Sequence, residues 1–105
     1  MLFRSGKITP VAHPDTMADG LRATIGSLPF SVIRAEVYKV LRVDDVDTIA
    51  AMRYVWEHMK VIIEPSAAVP VAALRKGLPE VRGKRIGIIL SGGNLDLDHL
   101  PWSGK

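Results

Sequence analysis

The chain contains no cysteine. Disulfide bridges and thiolate metal sites are therefore excluded, which fits a reducing compartment. Aromatic residues are scarce, with two Trp, two Tyr and two Phe among 105 residues. So few rings leave little for stacking nucleic-acid bases. No apolar run approaches the roughly 20 residues that cross a bilayer. The first residues, Met1-Leu2-Phe3-Arg4-Ser5-Gly6-Lys7, have no long apolar core followed by a small-residue cleavage site. Fourteen basic and 11 acidic residues leave a formal charge of +3, and the basic residues are scattered. A nucleic-acid surface would need them gathered into a patch. His13, His58 and His99 lie far apart, without metal-ligand spacing such as His-x-x-x-His. All three are read as surface or loop residues, and no metal site is expected. Together these absences lead to the expectation of a soluble cytoplasmic protein.

What is present is globular. The hydrophobic share is 48%, which is ordinary for a packed domain. The length suits one small domain or a piece of a larger one. Residues 1–15, with Gly6, Pro10 and Pro14, read as an irregular lead-in with one short strand over Ile8 to Ala12. Asp15-Thr16 can cap a helix from Met17 to Ile25, ended by Gly26. Pro29 opens a second short helix to about Val37. Tyr38 to Val43 is a strand candidate.

The clearest helix runs from about Asp45 to Lys60. Val46, Ile49, Met52, Trp56 and Met59 form one stripe at helical spacing. Asp44 is its natural N-cap, with Asp47 in the weaker capping-box position. Lys60 suits the negative end of the macrodipole. A further helix starts at Glu64-Pro65-Ser66 and is stopped by Gly77 and Pro79. Pro70 lies inside it and should kink or break the ladder near Ser66. Lys84 to Leu90 is the final strand candidate, and residues 95–105 read as a tail.

That last strand leads to the most informative stretch, Arg85 to Asn94. An apolar run ends abruptly in Ser91-Gly92-Gly93-Asn94. Buried parallel strands read this way, and α/β folds bind ligands just beyond strand carboxyl ends. The elements describe an α/β fold with a βααβ unit. Two strands are too few for an independent sheet. A strand apolar on both faces also wants cover from both sides. The chain is therefore expected to be a single partial domain over 1–105: a fragment, a subunit or an obligate oligomer.

Three blocks carry a resemblance. Ile89-Leu90-Ser91-Gly92-Gly93-Asn94-Leu95-Asp96-Leu97 resembles the C-terminal signature of the pyridoxal-phosphate-dependent serine/threonine dehydratases and serine racemases, the fold-type II family. Thr16-Met17-Ala18-Asp19-Gly20-Leu21 resembles that family's Ala-Asp-Gly block. Met59 to Val69, with Lys60 and Glu64-Pro65-Ser66-Ala67-Ala68, resembles its Glu-Pro-Ser block. The three stand in register over almost the whole chain. Pro70 departs from the small residue the family pattern leads one to expect.

The resemblance implies the C-terminal part of the large domain of such an enzyme, short helices around a mostly parallel sheet. It implies pyridoxal 5'-phosphate as cofactor. It implies an ammonia-lyase acting on serine, threonine or a related 3-hydroxy amino acid, giving a 2-keto acid and ammonia. Racemase and 3-hydroxyaspartate ammonia-lyase are alternatives within the family. A catalytically inactive truncated product or remnant, acting as a binding or oligomerisation module, is the alternative outside it. Ser91 would hydrogen-bond the pyridine nitrogen as a neutral partner, which makes the ring a weaker electron sink than a carboxylate would. Gly92 would allow close approach of the ring. Asp19 and Gly20 would line the cofactor and substrate side of the pocket, and Glu64 could tune proton transfers there. Lys60 and Asn94 match positions that line an effector site in some members, although Lys60 also reads as a plain helix-end charge.

No catalytic residue other than the pocket carboxylate Glu64 is expected in this stretch. The family's Schiff-base lysine, phosphate loop and cation site belong to its preceding part. Lys7, Lys39, Lys60, Lys76, Lys84 and Lys105 all sit outside the Schiff-base motif. The expected partners are the remainder of the enzyme, a hydroxy amino acid and further copies in a homo-oligomer, with neither nucleic acid nor membrane.

Overall fold

The computed structural model describes residues 6–7, 15–21 and 23–104. The lead-in strand over 8–12 and His13 lie outside them. Among the described residues there are three α-helices: α1 (Ser27–Glu36), α2 (Asp45–Met59) and α3 (Pro65–Arg75). Single 3-10 turns stand at Asp19–Leu21 and Pro79–Val81.

α2 forms as its capping pattern requires. The Asp47 N–H donates to Asp44 Oδ1 at 2.8 Å, satisfying one of the orphan donors of the first turn. The box is not reciprocal, because the Asp47 carboxylate reaches Lys76 Nζ instead, at 2.9 Å. At the other end Lys60 takes a left-handed conformation with φ 57°. Its ammonium donates to the Glu57 carbonyl oxygen at 2.5 Å, so it serves as a helix-end cation.

α3 starts with Pro65 at its first position, where no N–H is missed. It runs on through Pro70 to Arg75, although the ladder bond to the Ser66 carbonyl oxygen is lost there because proline has no N–H. Only one donor is lost there, and packing against α2 holds the rest of the turn. Gly77, with φ 92°, terminates it.

α2 and α3 pack on each other and enclose the core. Ala51, Met52 and Val55 of α2 meet Ala67, Ala68, Val71 and Ala72 of α3, with Ile63 between. The alanines let the two backbones approach closely. The buried face of α2 is therefore Thr48, Ala51, Met52 and Val55. That face is rotated from the expected stripe: Met52 is fully buried, whereas Val46 is 76% and Met59 54% exposed. Thr48 is accommodated because its hydroxyl donates to the Asp44 carbonyl oxygen at 2.8 Å. Trp56 is half-buried and its Nε1 donates to the Ile63 carbonyl oxygen at 3.0 Å. Trp102 stands edge-on to it at 5.1 Å, which closes the C-terminal tail over the core.

Other sequence expectations need correction. Among the described residues of 17–25, the expected helix is reduced to the 3-10 turn Asp19–Leu21. Among the described residues no strand is formed, so neither Tyr38–Val43 nor Lys84–Leu90 belongs to a sheet here. A strand exists through its ladder, and the sequence pattern cannot supply the neighbour. Ile89 is 83% exposed, which is the uncovered state anticipated for the last strand, and Tyr38 is 84% exposed. α1 likewise buries no residue. An open groove of about 420 Å³ runs between the outer side of α3, at Pro70 and Leu74, and residues 86–89. No described helix is long and apolar enough to cross a membrane.

Candidate cofactor-side site at the start of α3

The first turn of α3 gathers the three motif blocks. Glu64 is its N-cap residue, but its carboxylate does not cap the helix. The Glu64 N–H instead donates to the Gly92 carbonyl oxygen at 3.0 Å. Its side chain lies against the same glycine, with Oε1 2.6 Å from where a β-carbon on Gly92 would stand. A β-carbon on Gly93 would stand 2.8 Å from the Ile62 carbonyl oxygen. Residues 92–93 thus lie flat against residues 62–64.

Neither glycine has a positive φ. Both are needed for space and not for turn geometry. The room left by the missing side chain of Gly92 is taken by the Glu64 carboxylate. This is a close approach of protein to protein.

The Asp19-Gly20 block reaches the same turn from the other side. The Gly20 N–H donates to Ser66 Oγ at 2.9 Å. The 3-10 turn itself closes with the Leu21 N–H on the Ala18 carbonyl oxygen at 2.9 Å. Ala18 is buried, and its N–H donates to Thr16 Oγ1 at 3.2 Å. Gly20 and Gly92 therefore meet one short segment, Glu64-Pro65-Ser66.

Beside it opens a cleft of about 230 Å³, lined by Glu64, Asn94, Asp96 and His99 with Met17 and Met52 among its apolar walls. The Asp96 carboxylate bridges the tail: Oδ2 meets His99 Nδ1 at 2.6 Å, and Oδ1 accepts the Asp98 N–H at 2.9 Å. These bonds, that to His99 foremost, hold the Asp96 carboxyl below the usual aspartate range. Lys60 is not among the residues lining this cleft, whereas Asn94 is.

Ser91 is exposed, and its hydroxyl engages no partner among the described residues. His99 is exposed, as expected, although it lines the cleft. His58 is exposed too and stacks on Tyr54 at 4.2 Å between ring centres. Among the described residues no group of three His, Asp or Glu side chains is arranged for a metal ion. Sequence reasoning overlooked Ser66 and the Asp96–His99 pair. Ser66 carried the signal, a hydroxyl inside a motif turn. The pair could be anticipated only from its spacing of three.

A family model described as pyridoxal-phosphate dependent enzyme matches residues 2–92. The chain belongs to that family. It is 38% identical over 101 residues to the beta-hydroxyaspartate dehydratase of Paracoccus denitrificans (strain Pd 1222), covering 96% of this chain and 32% of the relative. Among solved structures, maize serine racemase superposes with a TM-score of 0.84 at 39% identity, over 92% of this chain and 32% of that one. A T.th. threonine deaminase superposes with a TM-score of 0.81 at 31% identity, over 90% and 35% respectively. The fold is that of the fold-type II pyridoxal-phosphate enzymes. The chain spans about a third of the length of these relatives.

Proposed function

We propose that the chain forms one wall of the cofactor site of a pyridoxal-phosphate-dependent ammonia-lyase. The polypeptide carrying it would act on serine, threonine or a related 3-hydroxy amino acid and release a 2-keto acid and ammonia. One observation carries the reading. The Asp19-Gly20, Glu64-Pro65-Ser66 and Ser91-Gly92 blocks converge on the first turn of α3, through Gly20 N–H to Ser66 Oγ at 2.9 Å and Glu64 N–H to Gly92 O at 3.0 Å.

The residues present fit the cofactor. The Ser91 hydroxyl is exposed and unengaged among the described residues, so it is free to meet a ring nitrogen as a neutral hydrogen-bond partner. Bound pyridoxal phosphate would supply the electron sink that labilises the bonds at the amino acid's α-carbon. A hydroxyl at the ring nitrogen keeps that sink weaker than a carboxylate would, which favours rapid loss of a β-hydroxyl. The half-buried Glu64 carboxylate, against Gly92, would serve proton transfers at its own oxygens. The exposed faces of α1 and of residues 86–89 support completion by further polypeptide, including the part that would bring the cofactor lysine.

The test uses the holo form of the polypeptide that carries this chain. It is incubated separately with L-serine, L-threonine and L-threo-3-hydroxyaspartate, and keto acid, ammonia and D-isomer are measured. Keto acid with equimolar ammonia is expected from at least one of the three. D-isomer without keto acid would replace the lyase reading with a racemase. No turnover despite bound cofactor would favour a non-enzymatic role.

A further inference from the structure

We infer that Ser66 is a positioning residue, whose hydroxyl oxygen fixes the Asp19-Gly20 turn against the first turn of α3 and so sets one wall of the cofactor side. The inference rests on the cofactor reading above. Two observations point to the tether. The Gly20 N–H donates to Ser66 Oγ at 2.9 Å across 46 residues of sequence. The same contact is tight sterically: a β-carbon on Gly20 would stand 2.9 Å from Ser66 Oγ and 3.2 Å from its Cβ, so the two segments touch without spare room.

Position matters as much as contact. Ser66 is two residues from Glu64, whose N–H holds the Gly92 carbonyl oxygen. Both motif segments are therefore referred to one rigid helical turn, and their separation is inherited from it. Elements fixed by backbone geometry position site groups more closely than free loops do. A serine at the second helical position is not needed for the helix itself, because Pro65 already occupies its first position and Glu64 its cap. Its hydroxyl serves the neighbouring segment instead.

The decisive variants are Ser66→Ala, which removes the acceptor, and Ser66→Thr, which keeps it. Both are made in the polypeptide that carries this chain. Gly20 amide exchange is read in the cofactor-free form. Pyridoxal phosphate affinity and the absorbance band of the bound cofactor are read in the loaded form. Ser66→Ala is expected to speed Gly20 exchange about threefold and to weaken cofactor affinity by a similar factor, the scale of one exposed hydrogen bond. Ser66→Thr should restore both. If Ser66→Ala does not fold, the shape-matched pair Ser66→Val and Ser66→Thr carries the same comparison. Unchanged Gly20 exchange in Ser66→Ala overturns the tether. Faster exchange with unchanged affinity and absorbance overturns the positioning role. A parent protein that takes up no cofactor overturns the functional reading, and the positioning role with it, while Gly20 exchange still scores the tether.

Discussion

Glu64 is bonded to Gly92 through its N–H on the Gly92 carbonyl oxygen at 3.0 Å, and Glu64 Oε1 occupies the space of the missing side chain, 2.6 Å from the position of a Gly92 β-carbon. The neighbouring Gly93 meets a backbone atom instead, the Ile62 carbonyl oxygen at 2.8 Å. These two close approaches differ in what can yield. Glu64 can swing its carboxylate away from a methyl group, whereas the Ile62 carbonyl moves only with its chain. Gly93→Ala should therefore destabilise the protein by about 1–3 kcal/mol, the range for forced overpacking, and Gly92→Ala by clearly less. Denaturant unfolding of the two variants checks the order. Equal losses would mean that Glu64 is held as rigidly as the backbone.

Gly92→Ala carries a second consequence. If its cost comes from displacing the Glu64 carboxylate, the cost should vanish once that carboxylate is removed. The double variant Gly92→Ala with Glu64→Ala should be less destabilised than the sum of the singles. Residues in contact are those whose effects fail to add. Strict additivity in a double-mutant cycle would place the strain elsewhere.

The core makes a contrast between two methionines of the same helix. Met52 is fully buried between α2 and α3, and Met59 is 54% exposed. In this chain Met52→Ala should cost about 2–5 kcal/mol, as truncation of a packed side chain does. Met59→Ala should stay within about 0.5 kcal/mol. Thermal or urea unfolding measures both. Comparable losses would mean that the end of α2 is covered by something not seen among the described residues.

The methionines also mark what could be read in advance. α2 was legible because its cap, its length and its terminating Lys60 are local, fixed by hydrogen bonds within a few residues. Its buried face was not. Val46 and Met59 obey the helical period as well as Met52 does, and only the position of the alanine face of α3 decides which are covered. The strands failed for the same reason on a larger scale, since Lys84 to Leu90 needs neighbours that these residues do not provide. At the site, the glycines could be picked out from the motif, but the two atoms they accommodate, Glu64 Oε1 and Ile62 O, are a tertiary result. The role of Ser66 is not legible locally, because its partner lies 46 residues away.

The α2–α3 pairing has a pH signature at Asp47 and Lys76, which meet at 2.9 Å. The hydrogen bond from Lys76 draws the Asp47 carboxyl below its ordinary 3.8. The same bond raises the Lys76 ammonium above 10.5. The depressed acid contributes stability above its unfolded value, and that contribution is lost as pH falls through its folded one. The raised base contributes below its unfolded value and loses it as pH rises through its folded one. The stability difference between the parent and Asp47→Asn should thus be flat through neutrality and shrink towards both extremes. Both side chains are partly exposed, so the effect is small and should weaken in high salt. Urea unfolding from pH 3 to 11 at two ionic strengths tests it. A difference that grows on acidification would contradict the assignment of the pair.

On their own, these 105 residues should form no covalent bond with the cofactor. Six lysines are present, and none lies in the family's Schiff-base motif. Three of the five described lysines have assigned roles: Lys39 bridges Glu80 at 3.1 Å, Lys76 bridges Asp47, and Lys60 caps α2. The Lys76 ammonium, raised by its bond to the Asp47 carboxylate, is stabilised in its charged form, which is the wrong state for attack on an aldehyde. The isolated chain, given pyridoxal phosphate and then borohydride, should acquire no stoichiometric reduced adduct at any single lysine, and serine should yield no keto acid. Peptide mapping by mass spectrometry reads the first result, and a coupled keto-acid assay the second. A single lysine labelled to completion would show that this stretch contains a reactive amine of its own, and the role of the site would shift from supporting wall to covalent anchor.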